Sequence, residues 1–138
     1  MVDLTEIWRK NSVMPVIVVD SLSGKVVMLR YMNKEAFAYT LKTHKAWYCD
    51  MDGTNLRKKG DHSGHEHKLI SLKTDYSCKA LLMTVEQTAH QSGSNTRFVH
   101  TIFGTEEDTQ KRYKFGKVDV DENFDFSKED YDDFYEDE

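Results

Sequence analysis

Runs of apolar residues divide the chain into short segments. Pro15 opens Val16-Ile17-Val18-Val19-Asp20, a β-branched run of the kind that fills a buried strand. Residues 21–25 (Ser-Leu-Ser-Gly-Lys) have the composition of a hairpin turn, and residues 26–31 return as a second strand. Asn33 then caps a helix running to about Thr43, with Met32 placed to staple against Phe37. A shorter helix is predicted over residues 4–9, where Leu4, Ile7 and Trp8 share one side. Strands are predicted over residues 46–51, 69–74 and 79–87, with a further candidate at 98–103 and a weaker one at 112–120. Many strands at hairpin spacing and one main helix give an α+β class: β-rich, with a largely antiparallel sheet.

The 138 residues suit one domain with a real core. Charge changes the picture at one end. Residues 119–138 carry eleven acidic side chains and one lysine, whereas the first 118 carry 18 basic and 13 acidic ones. The expected organisation is therefore a basic body, residues 1–118, and an acidic tail, residues 119–138. Five aromatics in the tail (Phe124, Phe126, Tyr131, Phe134 and Tyr135) argue for a semi-ordered appendix. A basic body suits a small anionic metabolite. Nucleic acid is not expected, since no known binding motif occurs and the tail would repel a polyanion. The chain has no apolar run of membrane-spanning length and no signal-peptide pattern, so no membrane association is expected. Two cysteines, Cys49 and Cys78, make no disulfide framework, and the expected location is cytoplasmic.

The chemistry concentrates in residues 57–67, Arg-Lys-Lys-Gly-Asp-His-Ser-Gly-His-Glu-His, which hold three of the six histidines. Gly60 and Gly64 would let backbone N–H groups approach an anion, with Lys59 to attract it and His62 and Ser63 to bond it. If the following strand begins by His65, then His65 and His67 point to the same face. The same composition also fits a solvated polar turn between two strands.

Four blocks fall in order: residues 28–36 (Met-Leu-Arg-Tyr-Met-Asn-Lys-Glu-Ala), Ala46-Trp47-Tyr48, residues 59–65 (Lys-Gly-Asp-His-Ser-Gly-His) and residues 80–87 (Ala-Leu-Leu-Met-Thr-Val-Glu-Gln). In sequence and spacing they resemble phosphoribosyl-AMP cyclohydrolase, over roughly residues 13–103. The resemblance implies a cyclohydrolase-like fold, a homodimer with active sites at the subunit interface, and metal-assisted attack of water on an amidine carbon. It also implies zinc to supply hydroxide and magnesium to handle the anionic substrate.

The resembled family's ligand pattern is altered in this chain. Its Asp-Cys-Asp-x-Asp cluster becomes Asp75-Tyr76-Ser77-Cys78-Lys79, its two later cysteines fall at His90 and Arg97, and a basic run after the Trp-Tyr strand becomes Asp50-Met51-Asp52-Gly53. The magnesium site is thus expected to be lost. A rebuilt zinc site would draw on His90, Asp75 and Cys78, with His62, His65 and His67 near it. A metal-free site would use His90, His65 or His67 as general base and Arg97 or Lys79 to stabilise negative charge. The expected function is a diverged cyclohydrolase-like enzyme acting on a C–N bond of a small anionic nitrogen heterocycle or nucleotide-like metabolite, phosphoribosyl-AMP included. The alternative is an inactive homologue that binds a nucleotide-like ligand or a protein.

Overall fold

A computed structural model describes residues 4–87, 96–104 and, for the backbone alone, 111–112. The chain divides into two compact units, Met1–Phe98 and Val99–Glu138. The expected tail, residues 119–138, lies outside the described residues.

The first unit begins with α1 (Leu4–Lys10), which turns Ile7 into the core. β1 (Met14–Asp20) and β2 (Val26–Met32) pair as an antiparallel hairpin, as their sequence predicts. α2 (Lys34–Thr43) follows, then two-residue strands β3 (Trp47–Tyr48) and β4 (Arg57–Lys58), and finally β5 (His67–Thr74) and β6 (Leu81–Gln87). Four strands form one sheet in the order β2-β1-β6-β5. β1–β2 and β5–β6 are antiparallel, while the central β1–β6 pair is parallel. The class is α+β with a mostly antiparallel sheet, and the described residues hold two helices.

Period-two alternation sends one face of this sheet inward. Met14, Val16 and Val18 of β1 are fully buried, and in register beside them lie Met32 and Met28 of β2 and Leu81 and Met83 of β6. α1 and α2 cover that face, with Trp8 packed on Phe37 at 5.3 Å between ring centroids. Among the described residues fifteen apolar side chains are buried, a core suited to a unit of this size.

The capping expected at Asn33 is present. Its Oδ1 accepts from the Ala36 N–H at 2.8 Å, and its Nδ2 donates to the Gly53 carbonyl at 3.0 Å. The helix ends at His44, which adopts the left-handed conformation with φ +59° and donates its N–H to the Thr40 carbonyl.

The segment predicted as a strand over residues 46–51 does something else. The Leu69 N–H reaches the His44 carbonyl and the Ala46 N–H reaches the His67 carbonyl, at 2.9 and 2.8 Å, on the β5 edge. The Cys49 N–H reaches the Tyr31 carbonyl at 2.9 Å on the β2 edge. Residues 44–49 therefore join the two outer strands of the sheet, and Trp47 and Tyr48 are the only residues of that stretch in strand form, paired with β4.

Two further expectations are corrected. The long strand expected over residues 98–103 is reduced to β7 (His100–Thr101), which pairs in parallel with β8 (Lys111–Arg112). The chain bends at residues 102–104, where Gly104 has φ +98° and Ile102 and Phe103 are exposed. β5 starts at His67, not by His65, so the two histidines do not share a strand face. His65 is exposed and His67 is buried, because only His67 is in register with β6, opposite Gln87. Among the described residues no helix is long and apolar enough to cross a membrane.

Candidate functional site

The glycine loop after β4 folds back on itself. Gly64 N–H donates to the Gly60 carbonyl at 2.8 Å, and the Ser63 hydroxyl accepts from the His65 N–H at 3.2 Å. Gly60 has φ +87°, and a Cβ there would lie 2.6 Å from the Glu66 nitrogen and from the His65 carbonyl carbon. Only glycine fits. Glu66 ties the far side of the loop to Lys45 and Lys58 at 2.9 and 3.1 Å, and the two ion pairs hold its carboxyl below the usual range.

Beneath the loop lies a pocket of about 500 Å³. Its walls include Trp47 and Tyr48 of β3, Arg30 of β2, and Lys59, Gly60, His62 and Ser63 of the loop. Four of the five residues expected to bind the ligand, Lys59, Gly60, His62 and Ser63, thus line one pocket. Gly64 instead closes the turn above it. Trp47 is fixed from α2: its N–H donates to the Thr40 hydroxyl at 3.0 Å, its Nε1 donates to the Thr43 hydroxyl at 3.1 Å, and its ring stacks on Tyr39 at 5.0 Å. Thr40 can serve as this anchor because it sits fully buried at an inward position of the helix.

Tyr48, which lines the pocket, has its phenol oxygen 3.3 Å from Nδ1 of the buried His67. Burial disfavours the imidazolium, and the nearby charges of Lys59 and Arg30 disfavour it further. Together they bring the His67 pKa from 6.5 down to about 4. Burial raises the Tyr48 pKa as well, so both partners are neutral near pH 7. At the same end of the sheet Asp20, only 1 % exposed, accepts from Ser23 N–H and Oγ at 2.8 Å each and from Gln87 Nε2 at 3.1 Å. Burial alone would raise the Asp20 pKa, and these hydrogen bonds outweigh it and lower it.

The remaining expected site residues are placed elsewhere or not at all. His65 stands on the exposed side of the loop. Arg97 is tethered to β2, with its N–H on the Val27 carbonyl and the neighbouring Thr96 hydroxyl on the Val26 carbonyl, and its charge reaches Lys59. His90 lies outside the described residues. Asp75 organises the turn before β6: its carboxylate accepts from Lys79 N–H, Ala80 N–H and Ser77 Oγ at 2.7, 2.9 and 2.7 Å. Cys78 completes that turn with φ +59° and packs partly against the core. Cys49 is buried.

A metal site was expected around Asp75, Cys78 and His90. Among the described residues no group of three or more histidine, cysteine or acidic side chains could hold a metal ion. The carboxylate of Asp75 is already committed to three donors of its own turn. The described residues do not fit the zinc or magnesium that the resemblance implied.

Arg30, Trp47 and Tyr48 also line the pocket, and sequence spacing does not bring them there. Arg30 belongs to the 28–36 block of the resemblance, and it interrupts an inward-facing series, Met28-x-Arg30-x-Met32. That interruption was the available signal. Trp47 and Tyr48 carry a signal only as part of the Ala46-Trp47-Tyr48 block of the family resemblance, which does not place them in a pocket.

The first unit is a small, mostly antiparallel α+β fold with a cation-lined pocket under a glycine loop, and its sequence assigns it to an enzyme family. Residues 28–99 match the family model for phosphoribosyl-AMP cyclohydrolase. The chain belongs to the phosphoribosyl-AMP cyclohydrolase family. It is 38% identical over 109 residues to the phosphoribosyl-AMP cyclohydrolase of Streptococcus mutans, covering 77% of this chain and 100% of that protein. The enzyme of the same name from Bacillus cytotoxicus is 39% identical over 94 residues, 67% of this chain and 93% of the relative. The histidine biosynthesis bifunctional protein HisIE of Thermosynechococcus vestitus is 40% identical over 83 residues, and the match covers 60% of this chain but 39% of that longer protein.

Proposed function

We propose that the chain is a diverged cyclohydrolase-like enzyme that opens or closes a C–N bond in the ring of a small anionic nitrogen heterocycle or nucleotide-like metabolite. The supporting observation is that the pocket falls inside the family-matching segment: Arg30, Trp47, Tyr48, Lys59 and Ser63 all lie within residues 28–99. Attack of water on an amidine carbon needs a base for the water proton and a donor for the departing ring nitrogen. Tyr48 lines the pocket and its phenol oxygen lies 3.3 Å from His67 Nδ1, so the phenol can relay the water proton to the neutral imidazole and return it to the nitrogen as the C–N bond breaks. An empty pocket leaves His67 a weak base. An anion beside Lys59 and Arg30 would offset their repulsion and strengthen it. Arg97, His65 and His90 are the further candidates around this chemistry.

The test follows ring opening by ultraviolet absorbance for phosphoribosyl-AMP and for other phosphorylated cyclic amidines, with and without added zinc and magnesium. Phosphoribosyl-AMP is expected to turn over poorly, because Tyr76, Lys79 and Arg97 stand where the resembled family carries ligands. Elemental analysis of the purified protein decides the cofactor: one zinc per chain supports a rebuilt shell that includes His90. No turnover of any amidine would favour the second reading, an inactive homologue that binds a nucleotide-like ligand or a protein.

The same proposal includes a homodimer. The outer face of the sheet carries Leu29, Ile17 and Leu82 in one register row, each about 40 % exposed. A second copy laid on that face would bury the row. Light scattering that finds a stable monomer at micromolar concentration would remove this part of the proposal.

A further inference from the structure

The inward face of the sheet carries a buried carboxylate that the chemistry of the pocket leaves unused. β1 turns Met14, Val16, Val18 and Asp20 inward in alternation, and all four are buried. Asp20 thus takes a position that the pattern of its strand gives to apolar side chains. An ionised group in such a place is destabilising unless its oxygens are matched. Here they are: Oδ2 accepts from the Ser23 N–H and Oγ, and Oδ1 accepts from Gln87 Nε2. Burial pushes the carboxyl pKa up, the hydrogen bonds bring it below its usual value, and Asp20 is ionised near pH 7.

The two bonds from Ser23 close the β1–β2 turn, and a serine or asparagine side chain could accept them as well. The bond from Gln87 reaches 67 residues along the chain, to the end of β6. Gln87 sits opposite His67 in the β5–β6 register. Asp20 lies beside Val85, two residues before Gln87 and on the same face of β6. Since β6 runs between β1 and β5, Asp20, Gln87 and His67 form one row across three strands. The row ends at the base of the proposed reaction.

Charges from several elements act on His67. Beyond burial itself, Lys59 of the loop and Arg30 of β2 oppose its protonation, and Asp20 of β1 favours it. Tyr48 of β3 is neutral, and Glu66, next to His67 in the chain, is committed to Lys45 and Lys58. A base that takes up a proton here becomes a buried cation near two others. A carboxylate already fixed two strands away offsets that charge without reorganising. We propose that Asp20 is a positioning residue of the site: Gln87 holds its carboxylate in the row, and its charge supports the imidazolium that His67 becomes. The inference rests on the proposed function in taking His67 as the base.

The experiment follows the His67 ring by nuclear magnetic resonance through an acid titration of the full chain. Asp20→Asn keeps an acceptor for the turn and removes the charge. His67 should then bind its proton about threefold more weakly or worse, since an opposite charge nearby favours the protonated form. Ser23→Ala loosens the same turn without touching the charge, and should leave the His67 midpoint in place. If the chain unfolds before His67 titrates, both variants are compared in a Lys59→Gln background, where an opposing charge is gone and the midpoint lies higher. Should Asp20→Asn not fold, Asp20→Ser, which also suits the turn, takes its place. An unmoved midpoint in the uncharged variant, or an equal shift in Ser23→Ala, would overturn the assignment. A midpoint that responds to Asp20 while no cyclic amidine is turned over would keep the link from Asp20 to His67 and remove the proposed enzyme. Turnover of an amidine with an unmoved midpoint would do the reverse.

Discussion

The Tyr48 hydroxyl lies 3.3 Å from Nδ1 of His67, and the two residues are 6 % and 3 % exposed. A phenol and an imidazole both buried and both neutral have one shared proton position to settle, and the ring's other nitrogen follows from it. If the phenol donates, Nε2 carries the proton. If Nδ1 donates, Nε2 is left with a lone pair.

The first prediction concerns acid. The folded pKa of His67 is lowered from 6.5 to about 4, so the unfolded chain binds a proton that the folded one refuses. The stability His67 forgoes this way is fully present above pH 6.5 and is lost as pH falls from 6.5 toward 4, at most about 3 kcal/mol in total. Urea unfolding of the wild type and His67→Gln across that range should show the wild type falling more steeply. Parallel slopes would mean that His67 titrates normally.

Gly60→Ala should be severe for its size. A Cβ 2.6 Å from backbone atoms and a left-handed φ act together, and a loss of about 2 kcal/mol or more is expected. Thermal melting reads the stability, and adenosine 5′-monophosphate titration reads the pocket, which should weaken too. A variant with wild-type melting and binding would show the loop free to rearrange.

Thr40→Val keeps the shape and removes the hydroxyl that accepts the Trp47 N–H and donates to the Ala36 carbonyl. Leaving that N–H unmatched should cost about 1 to 3 kcal/mol. Tryptophan fluorescence should broaden or shift as Trp47 loses its anchor. Unchanged emission together with unchanged stability would show that Tyr39 and Thr43 hold the ring without Thr40.

Asp75→Ala separates a turn cap from a metal ligand. Losing three acceptor contacts at the turn should lower stability by about 1 kcal/mol. Zinc content, measured on wild type and variant together, should not change. A drop in zinc without a drop in stability would return Asp75 to a ligand role.

The sequence exposes this fold unevenly. β1, β2, α2 and β6 are legible because apolar period and cap chemistry agree locally, as at Asn33 and its Ala36 partner. β4 is not, since Arg57 and Lys58 are polar and owe their strand form to pairing with Trp47 and Tyr48. The loop residues of the pocket were legible from glycine spacing, but Arg30 and Tyr48 meet them only through tertiary structure. His67 was legible as a histidine near a strand, and not as a buried one. Its burial depends on β5 starting at that residue, a boundary that local pattern places only to within a few residues.

Residues 44–49 act as a clasp on the sheet, and the clasp carries two walls of the pocket. Opening it would bare the edges of β2 and β5 together, each a row of unmatched N–H and carbonyl groups able to capture another chain. A ligand gripping Trp47 and Tyr48 would favour the closed clasp by mass action and so lower the fraction of chains exposed to that hazard. Occupancy of the pocket and resistance to aggregation are in this way properties of the same six residues.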